Sequence, residues 1–191
     1  MEEKLYEEKV SSKEIFKGKI LSLYFDKVKL PNGKIATREK VTHPGAVAVV
    51  SINKEGEVIL IRQYRYPIDR DLIEIPAGKL DSGEPPLECA KRELKEETGI
   101  SGENFIHLTT IYTSPGFSDE KMDIYLITDF RMEENNPDHD EFLHILKIDL
   151  DECLKMIEDG RINDAKSIIG ILMARDYLSK INTKAKNAKD K

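Results

Sequence analysis

The chain has no apolar run approaching the roughly 18 residues of a membrane-spanning helix, so a membrane partner is not expected. It also has no excess of positive charge: 30 Lys and Arg stand against 36 Asp and Glu, a net charge of −6. A negative surface repels phosphate backbones, which argues against a general nucleic-acid binder. The start, Met1-Glu2-Glu3-Lys4, lacks the basic segment and apolar core of a secretory signal, and the expectation is a cytoplasmic protein. Cysteine is scarce as well. Cys89 and Cys153 form no CxxC pair and read as reduced structural thiols. No internal repeat, low-complexity tract or second domain is evident.

What is present is enough for one buried core: 191 residues, 39% hydrophobic and 35% charged. The chain is organised around residues 78–100, which open on Gly78 and close on Gly99-Ile100. Glu84-Pro85-Pro86 starts a helix, because proline suits the first helical turn, and Gly99 ends it. At about 100° per residue, Glu93, Glu96 and Glu97 share one face. Ala90, Leu94 and Leu87 form an apolar second face, and Lys91, Lys95 and Glu88 a solvated third. Like charges three and four apart repel by a few tenths of a kcal/mol, and acids in the last turn oppose the helix dipole. Such a face is either solvated or a seat for a hard divalent cation, which prefers carboxylate oxygens. Cys89 borders the acids; packing is the first reading of its thiol, and a ligand role is the second.

In chain order, residues 4–42 read as an antiparallel β segment in which Ile20–Leu30 and Ile35–Thr42 flank an Asn32-Gly33 turn. A lone hairpin is marginal, so this segment should pack on the main domain or on a second subunit. Ala46–Ile52, Glu57–Tyr64, Leu72–Pro76, Phe105–Tyr112, Lys121–Thr128 and Phe142–Ile148 read as strands. Leu72–Pro76 feeds Ala77 and Gly78 and so mounts the acidic helix at a strand end. Arg62 and Arg65, with Tyr64 and Tyr66, make either an exposed basic edge or a phosphate clamp. Residues 131–140 are polar and acidic, as in a surface loop or a lid. A helix is predicted from Leu150 to about Glu158. A second follows, capped by Asn163, running to about Ser179 with Ile168, Ile169, Leu172 and Met173 on its core side.

The spacing Gly78, five residues, Glu84, seven residues, Arg92-Glu93-Leu94, one residue, Glu96-Glu97, one residue, Gly99-Ile100 resembles the signature box of the Nudix hydrolase family without a departure. Seven fixed identities at about 5–7% usage each give a chance match on the order of 10⁻⁸ to 10⁻⁹ per start position. Further stretches resemble the ADP-ribose pyrophosphatase branch: His43-Pro44-Gly45-Ala46-Val47, Gln63-Tyr64-Arg65, Glu74-Ile75-Pro76-Ala77-Gly78 and Ser114-Pro115-Gly116-Phe117.

The resemblance implies an α+β fold, an α/β/α sandwich around a mixed sheet, with a β extension over residues 1–43, a catalytic domain over 44–180 and a flexible tail over 181–191. It implies Mg²⁺, which Mn²⁺ can replace, held by Glu93, Glu97, Glu96 and the Ala77 carbonyl. Arg92 would orient the carboxylates and Glu84 would support them. Glu141, with Asp138 and Asp140 as rivals, would complete the site as ligand or general base. Arg65 and Arg38 would contact the diphosphate or the nucleotide, Glu120 the ribose side, and Pro115-Gly116 the substrate. The implied reaction is hydrolysis of a nucleoside diphosphate, with ADP-ribose giving AMP and ribose 5-phosphate. The implied assembly is a homodimer. A non-catalytic nucleotide sensor is the competing class, and every box acid needed for turnover is present.

Overall fold

The structure is a computed structural model that describes residues 5–133 and 142–189. The chain falls into two compact units, one formed by the chain up to Gly45 with Tyr112–Met122, the other by Ala46–Ile111 with the chain from Asp123 onward.

In the first unit, β1 (Glu8–Lys17), β2 (Ser22–Lys29) and β3 (Ile35–Thr42) make an antiparallel sheet in that order. The Asn-Gly turn sits where the sequence places it. Gly33 adopts φ +83°, its N–H donates to Leu30 O, and Asn32 Oδ1 accepts the Lys34 N–H. Strand β1 is an addition to the expected hairpin. All ten of its residues are exposed, so it carries no alternation of burial for a period-2 reading to find. Residues 113–120 belong to this unit, since Val41 N–H donates to Phe117 O at 2.7 Å and Asp119 N–H to Val41 O at 3.1 Å.

The second unit is built on β4 (Ala46–Ile52), β5 (Glu57–Arg65), β6 (Arg70–Glu74), β7 (Ala77–Lys79), α1 (Pro86–Thr98), β8 (Ile100–Ser101), β9 (Ile106–Tyr112), β10 (Lys121–Ile127), β11 (Arg131–Met132), β12 (Leu143–Asp149), α2 (Leu150–Glu158) and α3 (Ala165–Lys189). Seven strands form one mixed sheet in the order β12-β5-β4-β10-β9, with β6 on β5 and β7 on β4. Strand β4 is buried at every position, as its unbroken apolar run requires. Val47 and Val49 of β4 and Tyr125 and Ile127 of β10 pack with Cys89, Ala90 and Leu94 of α1. Val50 and Ile124, one residue out of phase, lie beside Gly170 of α3. Because successive strand side chains point to opposite faces, α1 and α3 cover opposite sides of the sheet, giving the α/β/α sandwich. Among the described residues no helix is long and apolar enough to cross a membrane.

Four local expectations need correction. The stretch Leu72–Pro76 is not one strand. β6 ends at Glu74, and after Ile75-Pro76 the chain re-pairs with β4 as β7. Leu87, placed on the apolar face, is exposed, because it lies in the first turn of α1 ahead of the packed residues Cys89, Ala90 and Leu94. Asp164, not Asn163, caps α3: its Oδ2 accepts the Ser167 N–H at 3.0 Å and the Ser167 hydroxyl at 2.6 Å. The buried stripe of α3 is Ser167, Gly170, Ile171 and Ala174, with Ile168, Ile169, Leu172 and Met173 half-buried beside it, and the helix runs past Ser179 to Lys189.

Helix α1 starts at Pro86 and ends at Gly99, whose φ of +71° lets its N–H reach Lys95 O at 2.8 Å. Complete burial of Leu94 contributes about 1.5–3 kcal/mol. That exceeds the few tenths lost to each like-charge pair on the acidic face.

Candidate functional site

The acidic face of α1 lies against β7. Glu97 is buried, and its Oε2 accepts the Ala77 N–H at 3.0 Å. Glu93 runs over the next residue: a Cβ on Gly78 would fall 1.8 Å from Glu93 Cδ, so any larger residue there has to displace the Glu93 side chain. The backbone at 77–78 is thus bonded to one of the three acids and runs close under a second. Its other edge pairs with β4 through Val47↔Gly78 and Ala48↔Ala77.

Arg92 ties the remaining carboxylates together. Its Nη1 donates to Glu93 Oε1 at 2.8 Å and Glu96 Oε2 at 3.0 Å, while Nε and Nη2 grip Glu84 at 2.9 Å each. This two-pronged grip raises the Arg92 pKa above its ordinary value and holds the Glu84 carboxyl at about 2, with help from the Asp81 N–H on Glu84 Oε2. Cys89 is buried and donates to Lys79 O; burial pushes its thiol up to about 12. Its place in the core beside Ala90 and Leu94 makes it a packing residue.

Glu93, Glu96, Glu97 and the Ala77 carbonyl, the donors the resemblance implies, would offer only oxygens, which suits a hard divalent cation. Among the described residues no three acid, His or Cys groups stand in ready coordinating geometry, and Arg92 Nη1 spans Glu93 and Glu96. A cation held at this face would have to share these carboxylates with the guanidinium or take them from it.

Behind Ala77 lies a charged network that sequence reasoning missed. Glu74, 1% exposed, accepts Arg65 through both oxygens at 2.8 Å and also Lys166 Nζ. Burial opposes ionisation of Glu74, but the bonds from Arg65 and Lys166 outweigh it and keep the pKa below its ordinary value. Lys166, itself buried, also donates to Asp164 Oδ2 at 2.9 Å. Glu74 and Lys166 are 92 residues apart, and no local pattern links them. Arg65, expected to face a diphosphate, therefore has its Nε and Nη2 engaged by Glu74. Arg62 pairs loosely with Asp71 at 3.4 Å.

Arg38, Pro115, Gly116 and Glu120 belong to the first unit. Arg38 pairs with Glu7 through Nε at 2.9 Å and through Nη2. Pro115 and Gly116 lie in a turn whose following N–H groups, Phe117 and Ser118, both reach Ser114 O. Glu120 Oε2 accepts the Thr113 hydroxyl at 2.6 Å. Glu141, Asp138 and Asp140 lie outside the described residues.

Comparison with known proteins identifies the family and the fold. A family model described as the NUDIX domain matches residues 42–168, and one described as the nucleoside diphosphate sugar hydrolase N-terminal domain matches residues 7–41. An ADP-ribose pyrophosphatase of Bacillus subtilis (strain 168) is 43% identical over 169 residues, covering 87% of this chain and 91% of that one. A methanol dehydrogenase activator of Bacillus methanolicus is 44% identical over 171 residues, covering 88% and 92%. A crystal structure of an ADP compounds hydrolase shares the fold, with a TM-score of 0.82 over 91% of this chain and 95% of that one at 24% identity. An unbroken box, with Glu97 bonded to the strand beneath it, and a domain match across two thirds of the sequence lead to one assignment: the chain belongs to the NUDIX family.

Proposed function

We propose that this chain hydrolyses the diphosphate of ADP-ribose, releasing AMP and ribose 5-phosphate, with Mg²⁺ as its metal and Mn²⁺ able to substitute. The observation that carries the reading is the hydrogen bond from the Ala77 N–H to Glu97, with Glu93 seated beside it over Gly78, which mounts two of the box acids on a strand. The Bacillus subtilis relative supports the choice of substrate.

NUDIX hydrolases generally need a divalent metal. Glu93, Glu97, Glu96 and the Ala77 carbonyl would hold it, and when bound it supplies positive charge to the diphosphate and acidifies a coordinated water. The residues of the chain do the rest. Glu97 fixes the Ala77 peptide, and Arg92 aligns Glu93 and Glu96. Glu141 is assigned to receive the proton of the attacking water. Arg65 and Arg38 are assigned to the charge of the diphosphate, Glu120 to the ribose side, and Pro115-Gly116 to the substrate. We also assign a cytoplasmic location, and the division at residues 1–43, 44–180 and 181–191 remains part of this proposal. A second copy of the chain is the proposed cover for Val10, Ile15, Phe16 and Ile20, all exposed. Light scattering that finds only a 21.8 kDa monomer would overturn the dimer.

The direct test incubates purified protein with ADP-ribose and Mg²⁺ and separates the products by chromatography. AMP is expected; its absence at every metal concentration overturns the reading. A second reading keeps the chemistry but changes the substrate to another nucleoside diphosphate, or adds a dehydrogenase partner, as the name of the Bacillus methanolicus relative suggests. A substrate panel ranked by kcat/KM separates the first case. Stimulation of a purified alcohol dehydrogenase separates the second.

A further inference from the structure

We propose that Lys166 and Ser167, in the first turn of α3, are positioning residues for the carboxylate site on α1, acting through the connector Glu74-Ile75-Pro76-Ala77. This rests on the reading of Ala77, Glu93, Glu96 and Glu97 as a metal site.

The connector is held at each residue by a different partner. Glu74 accepts Lys166 Nζ and the Arg65 guanidinium. Ile75 N–H donates to Ser167 Oγ at 2.9 Å. Pro76 O accepts the Val49 N–H at 2.9 Å, and Ala77 N–H donates to Glu97 Oε2 at 3.0 Å. Two of these four ties come from consecutive residues of α3, and both partners in α3 are buried. The Ser167 hydroxyl has its own orientation fixed, because it donates to Asp164 Oδ2, the oxygen that also takes Lys166 Nζ and the Ser167 N–H. One carboxylate oxygen thus sets both tethering groups.

Helix α3 reaches the connector because of Gly170. A Cβ there would stand 2.9 Å from both Ile75 Cδ1 and Val50 Cγ2, closer than side chains tolerate, so glycine lets the helix approach Ile75. The chain needs this support at this point. Between β6 and β7 it changes its pairing partner from β5 to β4, and the ladder bonds that hold a strand are interrupted. Without α3, Ile75 N–H would be a buried donor with no acceptor. The connector would then keep only the Arg65 bonds to Glu74, the Val49 bond to Pro76 O and the Glu97 bond to the Ala77 N–H.

The test is Mn²⁺ binding by titration calorimetry, with Mn²⁺ alone as the probe, on Ser167→Ala, Lys166→Met, Ser167→Thr and the exposed control Arg175→Ala. Ser167→Ala and Lys166→Met are expected to weaken Mn²⁺ binding by about 10- to 100-fold, the range seen when groups behind a ligand are removed. Ser167→Thr keeps the hydroxyl and is expected to bind near wild type, as is Arg175→Ala. The loss should fall on kcat at fixed metal, with little change in KM for ADP-ribose. Variants that melt lower yet keep the wild-type Kd for Mn²⁺ would show a merely structural role and overturn the proposal. If Lys166→Met does not fold, the pair Ser167→Ala and Ser167→Thr decides by itself. Wild-type protein that takes up no Mn²⁺ overturns instead the reading of the site, a separate outcome.

Discussion

Gly78 lies directly beneath Glu93: a Cβ on Gly78 would stand 1.8 Å from Glu93 Cδ and 2.2 Å from its Oε1. The φ of Gly78 is not in the left-handed region, so the requirement for glycine is steric and points at a single side chain. Gly78→Ala is expected to push Glu93 off its seat, costing about 1–3 kcal/mol in stability through overpacking and about 10²-fold in turnover through misplacement. A double-mutant cycle isolates the cause. In a Glu93→Ala background the stability cost of Gly78→Ala should vanish, since the clash is gone. A cost that persists there would mean that the backbone itself rejects the methyl group.

Glu97→Gln separates charge from architecture. The Gln side-chain carbonyl can still accept the Ala77 N–H that Glu97 now takes at 3.0 Å. Stability should therefore change by no more than about 1 kcal/mol. Turnover should fall at least about 10²-fold, because an amide is a far weaker ligand for a hard cation. Denaturant melts and steady-state rates on the same preparation check both halves.

Much of this site is legible in sequence because its logic is local. The box acids, Arg92, the helix-starting Pro86 and the C-cap Gly99 lie within one helix and its first neighbours, where spacing converts directly into geometry. The Asn32-Gly33 turn and the fully buried β4 are local in the same way. Leu87 was misread because helical angle says which way a side chain points, not whether a strand lies opposite it. Asn163 and Asp164 have similar capping propensity, and only the side-chain bonds to Ser167 choose between them. The pairing of Glu74 with Lys166 spans 92 residues, and topology alone brings them together.

The grip of Arg92 on Glu84 has a pH signature. The folded pKa of Glu84 is about 2, below its ordinary value of 4.5, so folding favours the ionised carboxylate. The stability it contributes is fully present above pH 4.5 and is lost as pH falls toward 2. Glu84→Gln should flatten this part of the stability profile while leaving the profile above pH 5 parallel to wild type. Urea melts at half-unit steps from pH 6 to 2.5 measure it. A wild-type profile with the same slope as Glu84→Gln in that window would show that the ion pair is solvated away.

The buried charges at Glu74 should dominate stability among the site's neighbours. Removing one partner of a buried ion pair leaves the other desolvated and unpaired, which costs about 3–5 kcal/mol. Glu74→Leu strands Lys166, which is 7% exposed, and Asp164 offsets only part of its charge. Arg65 loses its bidentate partner too, but with 40% of its side chain exposed it can turn to water. The expected loss for Glu74→Leu is therefore set by Lys166, near the lower end of that range. Glu74→Leu combined with Lys166→Met removes both charges and should be more stable than Glu74→Leu alone, since an apolar pair leaves no charge uncompensated. Denaturant unfolding of the two variants decides the matter. Equal stability would place the cost in the lost Arg65 bonds rather than in the stranded lysine.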